Sequence, residues 1–132
     1  MTSPANLDAA LAAMSAASRG DHEAQLALYT SDAVVEVVLG GRRFAGTDEL
    51  RTVFRMAAEQ FPIEITIDEI VPCADPDQLV LEMHADGVVQ ATGKTFVKRY
   101  ISRFWFRDGA ISRQREFFDP AAMAAAMQPD PM

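Results

Sequence analysis

The sequence predicts an α+β domain built on a cone-shaped, curved antiparallel sheet. Three helices from the N-terminal half lie on its concave face, and a short helix follows at the C-terminus. Two observations carry the prediction. Apolar residues recur at helical spacing through much of the first half of the chain, whereas long alternating segments fill the second half. An Asp108-Gly109 step joins the last two segments, and such a step between aromatic runs is a strong hairpin signal.

Length and composition narrow the classes of function. A chain of 132 residues predicts one domain, 1–132, with a proline-broken tail at 128–132 that we expect to be flexible. A net charge of -7 argues against binding to nucleic acid or to an anionic membrane, because both reward clustered Lys and Arg. Cys73 is the only cysteine, and no residues stand at metal-ligand spacing. No stretch of the sequence reaches the ~18 apolar residues of a membrane span. We therefore expect a cytoplasmic protein with no metal and no cofactor.

Two helices are predicted before any strand. Ser3-Pro4 begins the first, which ends near Gly20. Asp21 caps the second, which runs through Tyr29 and leads into the strand AVVEVVLGG.

A third helix and the long strands follow. Thr47 caps this helix, and its apolar residues from Leu50 to Phe61 are spaced by three and four positions. After Pro62 come IEITIDEIV, LVLEMHADGVV and TFVKRYISRFWF, which resemble the strands of an antiparallel meander. Asp119-Pro120 then begins the last helix, AAMAAAM.

The faces of the last two strands depend on the length of the loop at Asp108-Gly109, because a slip of one residue turns every side chain over. A two-residue loop would pair Ser102 with Arg115 and Phe104 with Arg113. That register would bury charge among aromatic residues without a visible partner.

A three-residue loop would instead pair Ser102 with Gln114 and Tyr100 with Glu116, and we prefer it because it separates arginines from aromatics. Its inner face carries Phe96, Lys98, Tyr100, Ser102, Phe104, Phe106, Ser112, Gln114, Glu116 and Phe118. Its outer face carries Arg99, Ile101, Arg103, Trp105, Ile111, Arg113, Arg115 and Phe117. The inner face predicts a pocket lining, and the outer face predicts a solvated or partner-covered surface.

Three motifs resemble the nuclear-transport-factor-2-like superfamily over nearly the whole chain: RGD-x3-LALY-x2-DAVVEV, the helix start GTDELR, and RFWFRDGAISRQREFFDP. Within it, ADPDQLVLE and DGAISRQREFFDP look most like the SnoaL-like group, which includes the phenazine-biosynthesis A/B-type proteins. The superfamily contains ketosteroid isomerases, polyketide cyclases, dehydratases, epoxide hydrolases and proteins that only bind or assemble. The resemblance implies a small-molecule pocket, often in secondary metabolism or antibiotic biosynthesis, and the reaction must be argued from the pocket residues.

The chain lacks the parts of two reactions found in this superfamily. By comparison with the ketosteroid isomerases, Val37 falls at the base aspartate, Ala13 near the oxyanion tyrosine and Ser102 at the protonated acid. The epoxide hydrolases use an Arg-x-Asp step on one strand, whereas Arg99 here is followed by Ile101. We expect neither reaction.

The phenazine-type proteins carry a pocket glutamate in an R-E-F motif, which stands here as Arg115-Glu116-Phe117. This match makes Glu116 the candidate acid-base group. The histidine and serine of those proteins would fall near Val53 and Ala57, so their full site is not reproduced. Glu116 either acts within the aromatic wall or lies at the rim as the ion-pair partner of Lys98.

Two function classes remain open. The first is a cofactor-independent cyclase or isomerase that acts by general acid-base catalysis on an apolar, carbonyl-bearing ring compound. The second is a non-catalytic small-molecule binding or accessory protein. The expected catalytic residues are Glu116 and Tyr100, and the expected substrate-binding residues are Val37, Leu50, Phe54, Lys98, Ser102, Phe104, Gln114 and Phe118. Ile101, Trp105 and Phe117 on the outer sheet face predict a homodimer.

Overall fold

The computed structural model describes residues 1–131 and confirms the α+β class: a curved, open six-stranded sheet with four helices. The last residue of the predicted tail, Met132, lies outside the described residues. The elements are α1 (Pro4–Ser18), α2 (His22–Leu26), β1 (Tyr29–Val37), β2 (Arg42–Ala45), α3 (Thr47–Gln60), β3 (Ile63–Pro72), β4 (Gln78–Val88), β5 (Thr95–Arg107), β6 (Ala110–Phe118) and α4 (Ala121–Met127). The strand order is β2-β1-β6-β5-β4-β3; β1 and β6 run parallel, and the other neighbours run antiparallel.

The predicted helix starts are confirmed for α1 and α2. The Ser3 hydroxyl accepts from the Asn6 backbone N–H at 3.2 Å, and an Asp21 carboxylate oxygen accepts from the Ala24 N–H at 3.0 Å. The predicted end of α2 is wrong, since the helix stops at Leu26 and Tyr29 already begins β1.

The start of α3 differs slightly from the prediction. Gly46 is the capping residue and Thr47 is the first helical residue, so Thr47 does not cap the helix with its side chain. Glu49 compensates, because its carboxylate accepts from the Ala45 N–H at 2.6 Å just ahead of the helix. The four-residue strand β2 before it was not predicted as a separate element.

Helices α1 and α3 bury apolar stripes against the inner side of the sheet. On α1 the stripe is small, with Ala10 and Ala13 fully buried, which brings the helix backbone close to the strands. On α3 it is large, with Leu50 fully buried and Phe54 mostly buried. A second, smaller cluster lies where α4 packs, around Phe96. Within the described residues, no helix combines the length and the apolar character that crossing a bilayer requires.

The turn between β5 and β6 contains two residues, so the predicted three-residue loop is wrong. Arg107 pairs with Ala110, and both intervening residues have positive φ, 51° for Asp108 and 80° for Gly109. This is the type I′ geometry that matches the twist of a hairpin and that an Asp-Gly step favours.

A β-bulge at Ser112 restores the predicted faces all the same. Phe106 pairs with Ile111 and Trp105 with Arg113, which leaves Ser112 as an extra residue whose hydroxyl donates to the Trp105 carbonyl oxygen at 3.2 Å. One extra residue turns the remainder of β6 over. Ile111 lies before the bulge and is fully buried in the core, so its predicted place on the outer face is wrong.

Beyond the bulge, the partners are displaced by two positions from the predicted register. Ser102 lies opposite Glu116 and Phe104 lies opposite Gln114. Tyr100 lies opposite Phe118. A displacement of two keeps each side chain on its predicted face, so Tyr100 and Glu116 share the concave side.

Candidate functional site

A cavity of about 440 Å³ lies between the concave face of the sheet and the helices α1, α2, α3 and α4. Its walls are mostly apolar and include Val35, Val37, Phe54, Phe61, Ile63, Ile65, Phe96, Phe118 and four methionines, Met14, Met56, Met123 and Met127. Its polar side chains are Gln25, Arg42, Lys98, Tyr100 and Glu116. An apolar cavity of this size with a few converging polar groups is typical of small-molecule sites.

Glu116 is the one carboxylate among residues 1–131 that lines this cavity. Its Oε1 accepts from Nε2 of Gln114 at 3.1 Å, and its Oε2 lies 3.6 Å from Nζ of Lys98. The side chain is 18% exposed. Two donors therefore hold a carboxylate inside a wall that is otherwise apolar.

Lys98 lies beneath two aromatic rings on the same wall. Its Nζ is 4.2 Å from the Phe118 ring centroid and 4.5 Å from the Tyr100 ring centroid, both within the range of a cation–π contact. The side chain is 14% exposed. The pairing of Lys98 with Glu116 that the sequence left open is present, and it lies within the cavity wall and not on an exposed rim.

Tyr100 lies beside this pair and is 5% exposed. Burial raises the pKa of its phenol above the ordinary value of 10.0, and the negative charge of Glu116 raises it further. The hydroxyl consequently remains protonated at neutral pH. It can donate a hydrogen bond to an oxygen that becomes negative, which fits the role suggested for it from the sequence.

The predicted substrate-binding residues divide into two groups. Val37, Phe54, Lys98 and Phe118 line the cavity together with the expected catalytic residues. Leu50, Ser102, Phe104 and Gln114 lie behind the wall, where they are between 0% and 2% exposed. They share the inward side of their elements, but they are buried in the packed interior, and none of them lines the cavity.

Sequence reasoning missed three polar residues of this region. Gln25 and Arg42 line the cavity, and Tyr29 hydrogen bonds to Gln114 behind it. Tyr29 was assigned to a helix, and Arg42 belongs to a strand of four residues, too short to show alternation. The glycine pair that precedes Arg42 was a signal for the turn that creates β2, since both glycines have positive φ.

The outer face of the sheet differs from the cavity wall because it carries arginines and partly exposed apolar side chains. Arg103 and Arg113 place their guanidinium carbons 4.3 and 5.1 Å from the Trp105 ring centroid. Trp105 is therefore partly covered within the chain. Ile101 and Phe117 remain 44% and 37% exposed. They line a groove that also contains Leu39, Asp68, Glu82, Arg99 and Asp119.

A family model for the SnoaL-like domain matches residues 10–114, and the chain belongs to that family. The chain is also 33% identical over 78 residues to an uncharacterized PhzA/B-like protein of Pseudomonas aeruginosa. That match covers 59% of this chain, and it spans 55% of the length of the Pseudomonas protein.

Solved structures show the same fold at low sequence identity. A candidate isomerase from Bacillus subtilis is 23% identical, with a TM-score of 0.84 over 92% of this chain and 91% of that protein. A candidate polyketide cyclase from Xanthomonas campestris pv. campestris is 20% identical, also with a TM-score of 0.84, over 94% of this chain and 97% of the other. These likenesses establish the architecture, and the chemistry has to come from the cavity.

Proposed function

We propose that this chain is a cofactor-independent enzyme of secondary metabolism that transfers a proton on an apolar, carbonyl-bearing ring compound. The observation that carries the proposal is the place of Glu116, the one cavity-lining carboxylate of the described residues. Its carboxylate lies 3.6 Å from the Lys98 ammonium, and the protonated phenol of Tyr100 lines the same cavity. The proposal is also supported by membership in the SnoaL-like family and by a fold shared with a candidate isomerase and a candidate polyketide cyclase.

The walls of the cavity favour a substrate with an apolar body. Side chains of α3, α4 and β3 offer rings, methyl groups and thioethers, so a hydrocarbon ring gains by leaving water. The ionisable groups Lys98, Tyr100 and Glu116 come from the two adjacent strands β5 and β6. A carbonyl group would therefore face the sheet, and the apolar body would face the helices.

In the proposed reaction Glu116 removes a proton from the carbon next to the carbonyl group. The electron pair of the broken C–H bond moves onto the carbonyl oxygen, to which the Lys98 ammonium or the Tyr100 hydroxyl donates. Gln114 donates to Oε1 of Glu116, whereas Oε2 lies 3.6 Å from the Lys98 ammonium, beyond hydrogen-bond distance, and is the oxygen that would accept the substrate proton. Return of the proton from Glu116 to another carbon gives an isomerase. Attack of the enolate carbon on a second carbonyl group of the substrate, whose oxygen then takes the proton from Glu116, gives a cyclase.

A non-catalytic binding protein is the second candidate, and one observation favours it. Lys98 already neutralises Glu116 at 3.6 Å, so the apolar walls alone could retain a ligand without proton transfer. The two candidates differ in what Glu116 must do. An enzyme needs its carboxylate in contact with the reacting carbon, whereas a binding protein needs only its volume and polarity.

The test compares Glu116→Gln with Glu64→Gln. Both substitutions remove one carboxylate, but Glu64 lies exposed on β3 and outside the cavity. Ring compounds with and without a ketone are first screened for a ligand-induced rise in melting temperature. Turnover and affinity are then measured for each ligand. We expect Glu116→Gln to lower turnover by ~10²- to 10⁴-fold with nearly unchanged affinity, and Glu64→Gln to change neither.

Two results would contradict the proposed catalytic role of Glu116. Equal turnover by Glu116→Gln and the unsubstituted protein would remove Glu116 from the mechanism. A ligand that binds tightly and that no variant transforms would favour the binding protein.

We also propose that the outer sheet face joins two copies of the chain. Ile101 and Phe117 form an apolar strip along the outer groove. Within the described part of the chain, neither Glu82 nor Arg99 forms an ion pair, although both line that groove. A two-fold axis through the groove would bring Arg99 of each copy towards Glu82 of the other. A monomeric mass in light scattering at tens of micromolar would contradict this arrangement.

A further inference from the structure

A buried chain of hydrogen bonds runs from β1 to the cavity. The Tyr29 hydroxyl donates to Oε1 of Gln114 at 2.5 Å, and Nε2 of Gln114 donates to Oε1 of Glu116 at 3.1 Å. Tyr29 is 7% exposed and Gln114 is 2% exposed, so water does not compete for these groups. Tyr29 does not line the cavity, yet it reaches Glu116 through one amide.

The direction of these two hydrogen bonds follows from the chemistry of the side chains that form them. Burial is the main cause that raises the pKa of Tyr29, and the charge of Glu116 adds to it, so the phenol keeps its proton. The Gln25 side chain acts in the opposite sense and lowers that pKa. The O–H of Tyr29 is thus left to donate to Gln114, whose carbonyl end must face it.

The amide of Gln114 has two unlike ends, and only one suits a carboxylate. With its carbonyl held by Tyr29, the NH₂ group points at Glu116. A rotated amide would leave the buried O–H of Tyr29 without its acceptor. It would also set the Gln114 carbonyl oxygen against Glu116, a contact that requires a protonated carboxyl group.

We propose that Tyr29 is a positioning residue that fixes the Gln114 amide and thereby sets the pH at which Glu116 takes up a proton. Its consequence for turnover rests on the proposed catalytic role of Glu116, but its effect on protonation does not. Tyr29 packs against Phe54 of α3, with ring centroids 5.1 Å apart. The hydroxyl group is consequently held in place by a ring that is itself fixed in the core.

Other charged and polar groups also face Glu116, and they remain in place when Tyr29 changes. Lys98 and Tyr100 approach from β5, and Arg42 lines the same cavity from β2. The residues of α3 and α4 that line the cavity are apolar. Ser102 lies opposite Glu116 on β5, and its buried hydroxyl has no hydrogen-bond partner among residues 1–131.

The experiment follows the side-chain amide of Gln114 by NMR in ¹⁵N-labelled full-length protein. The Gln114→Leu variant identifies the signal by its disappearance. In the unsubstituted protein this signal should move with pH as Glu116 is protonated, and Glu116→Gln should abolish the movement. In Tyr29→Phe we expect the midpoint to rise by about one pH unit, a tenfold change in the proton equilibrium. The matched control is Ser112→Ala, which also removes one hydroxyl group close to Gln114 on β6 but leaves Tyr29 and its hydrogen bond to the amide in place.

The midpoints measured in the variants decide whether Tyr29 acts on Glu116 through Gln114. A rise of the midpoint in Tyr29→Phe that Ser112→Ala does not share supports the proposal. An unchanged midpoint in Tyr29→Phe overturns it, and so does an equal shift in both variants. The unsubstituted protein alone gives a second check, because a Gln114 amide insensitive to pH would also overturn it. No substrate is needed, so these results stand apart from whether Glu116 catalyses a reaction.

Discussion

Strands β5 and β6 carry ion-paired residues on both faces of the sheet, and the two faces differ in how far the basic partner is exposed to water. On the outer face, Glu36 pairs with Arg113 at 2.6 Å and lies 3.7 Å from Arg115; Glu36 is 20% exposed, but the Arg113 guanidinium side chain is 46% exposed and reaches water. On the inner face, Lys98 and Glu116 lie within an apolar wall where both are mostly buried. Exposed pairs are screened by water and contribute ~0 to 1 kcal/mol. A buried pair is costly to disrupt, because removing one partner leaves a charge with little solvent around it.

Under the two proposals made above, alternation along two strands separates the surface for self-association from the surface for catalysis. Inward residues of β5 and β6 contact the cavity or its supporting core, whereas outward residues are available to another copy of the chain. Substitutions on the two faces should therefore have different consequences. The following experiments test that separation, from the largest expected effect to the smallest.

The first test concerns the packing behind the cavity wall. Phe104 is fully buried, whereas its neighbour Trp105 faces outward and is partly covered by arginine side chains. We expect Phe104→Ala to lower the free energy of unfolding by ~3–5 kcal/mol, because it leaves a cavity in the core. Chemical denaturation measures this, with Trp105→Ala as the comparison. A loss for Trp105→Ala as large as that for Phe104→Ala would contradict the assignment of faces.

The second test concerns the outer groove. Ile101→Asp places a charge in the apolar strip, and we expect it to weaken self-association by at least ~10-fold, equivalent to about 1.4 kcal/mol. The control is Ile70→Asp, the same substitution at a side chain that is 40% exposed and lies outside the groove. Analytical ultracentrifugation over a concentration series measures both. Equal self-association by the two variants would place the interface elsewhere.

The third test is the smallest and concerns the two tyrosines of the chain, Tyr29 and Tyr100. Burial raises the pKa of each above 10.0, so the stabilisation from keeping both phenols neutral is fully present below about pH 10. It is lost as the pH rises beyond that value. We expect no tyrosinate absorbance near pH 10 in the folded protein, and a steep increase only as it unfolds. Ionisation of either tyrosine near pH 10 in folded protein would show that it is exposed.

Much of the fold could be predicted from the sequence because its signals are local. Helix caps such as Ser3 and Asp21, and the Asp108-Gly109 turn, depend on a few neighbouring residues. The bulge at Ser112 could not be predicted, since it results from pairing between strands. The predicted loop was one residue too long, but the extra residue it assigned to the turn lies in the bulge, so the predicted faces of Glu116 and Tyr100 agree with the structure.

The candidate site was less predictable than the fold for a related reason. Alternation shows which side of a strand a residue faces, but it does not show how far a helix stands from that side. Val37 and Phe104 both face inward, yet Val37 lines the cavity and Phe104 lies in the packed core. The link from Tyr29 to Gln114 joins residues 85 positions apart, and nothing near either residue in the sequence indicates it.

The most direct measurement of the central claim is hydrogen exchange on a bound carbonyl compound in D₂O. A ring ketone that binds the cavity is incubated with the protein, and the loss of its α-proton signal is followed by ¹H NMR. We expect the unsubstituted protein and Glu64→Gln to catalyse the exchange alike, and Glu116→Gln to do so ~10²- to 10⁴-fold more slowly at saturating ketone. Exchange by Glu116→Gln at the rate of the unsubstituted protein would contradict the claim that the inner face of β6 carries the proton-transferring group.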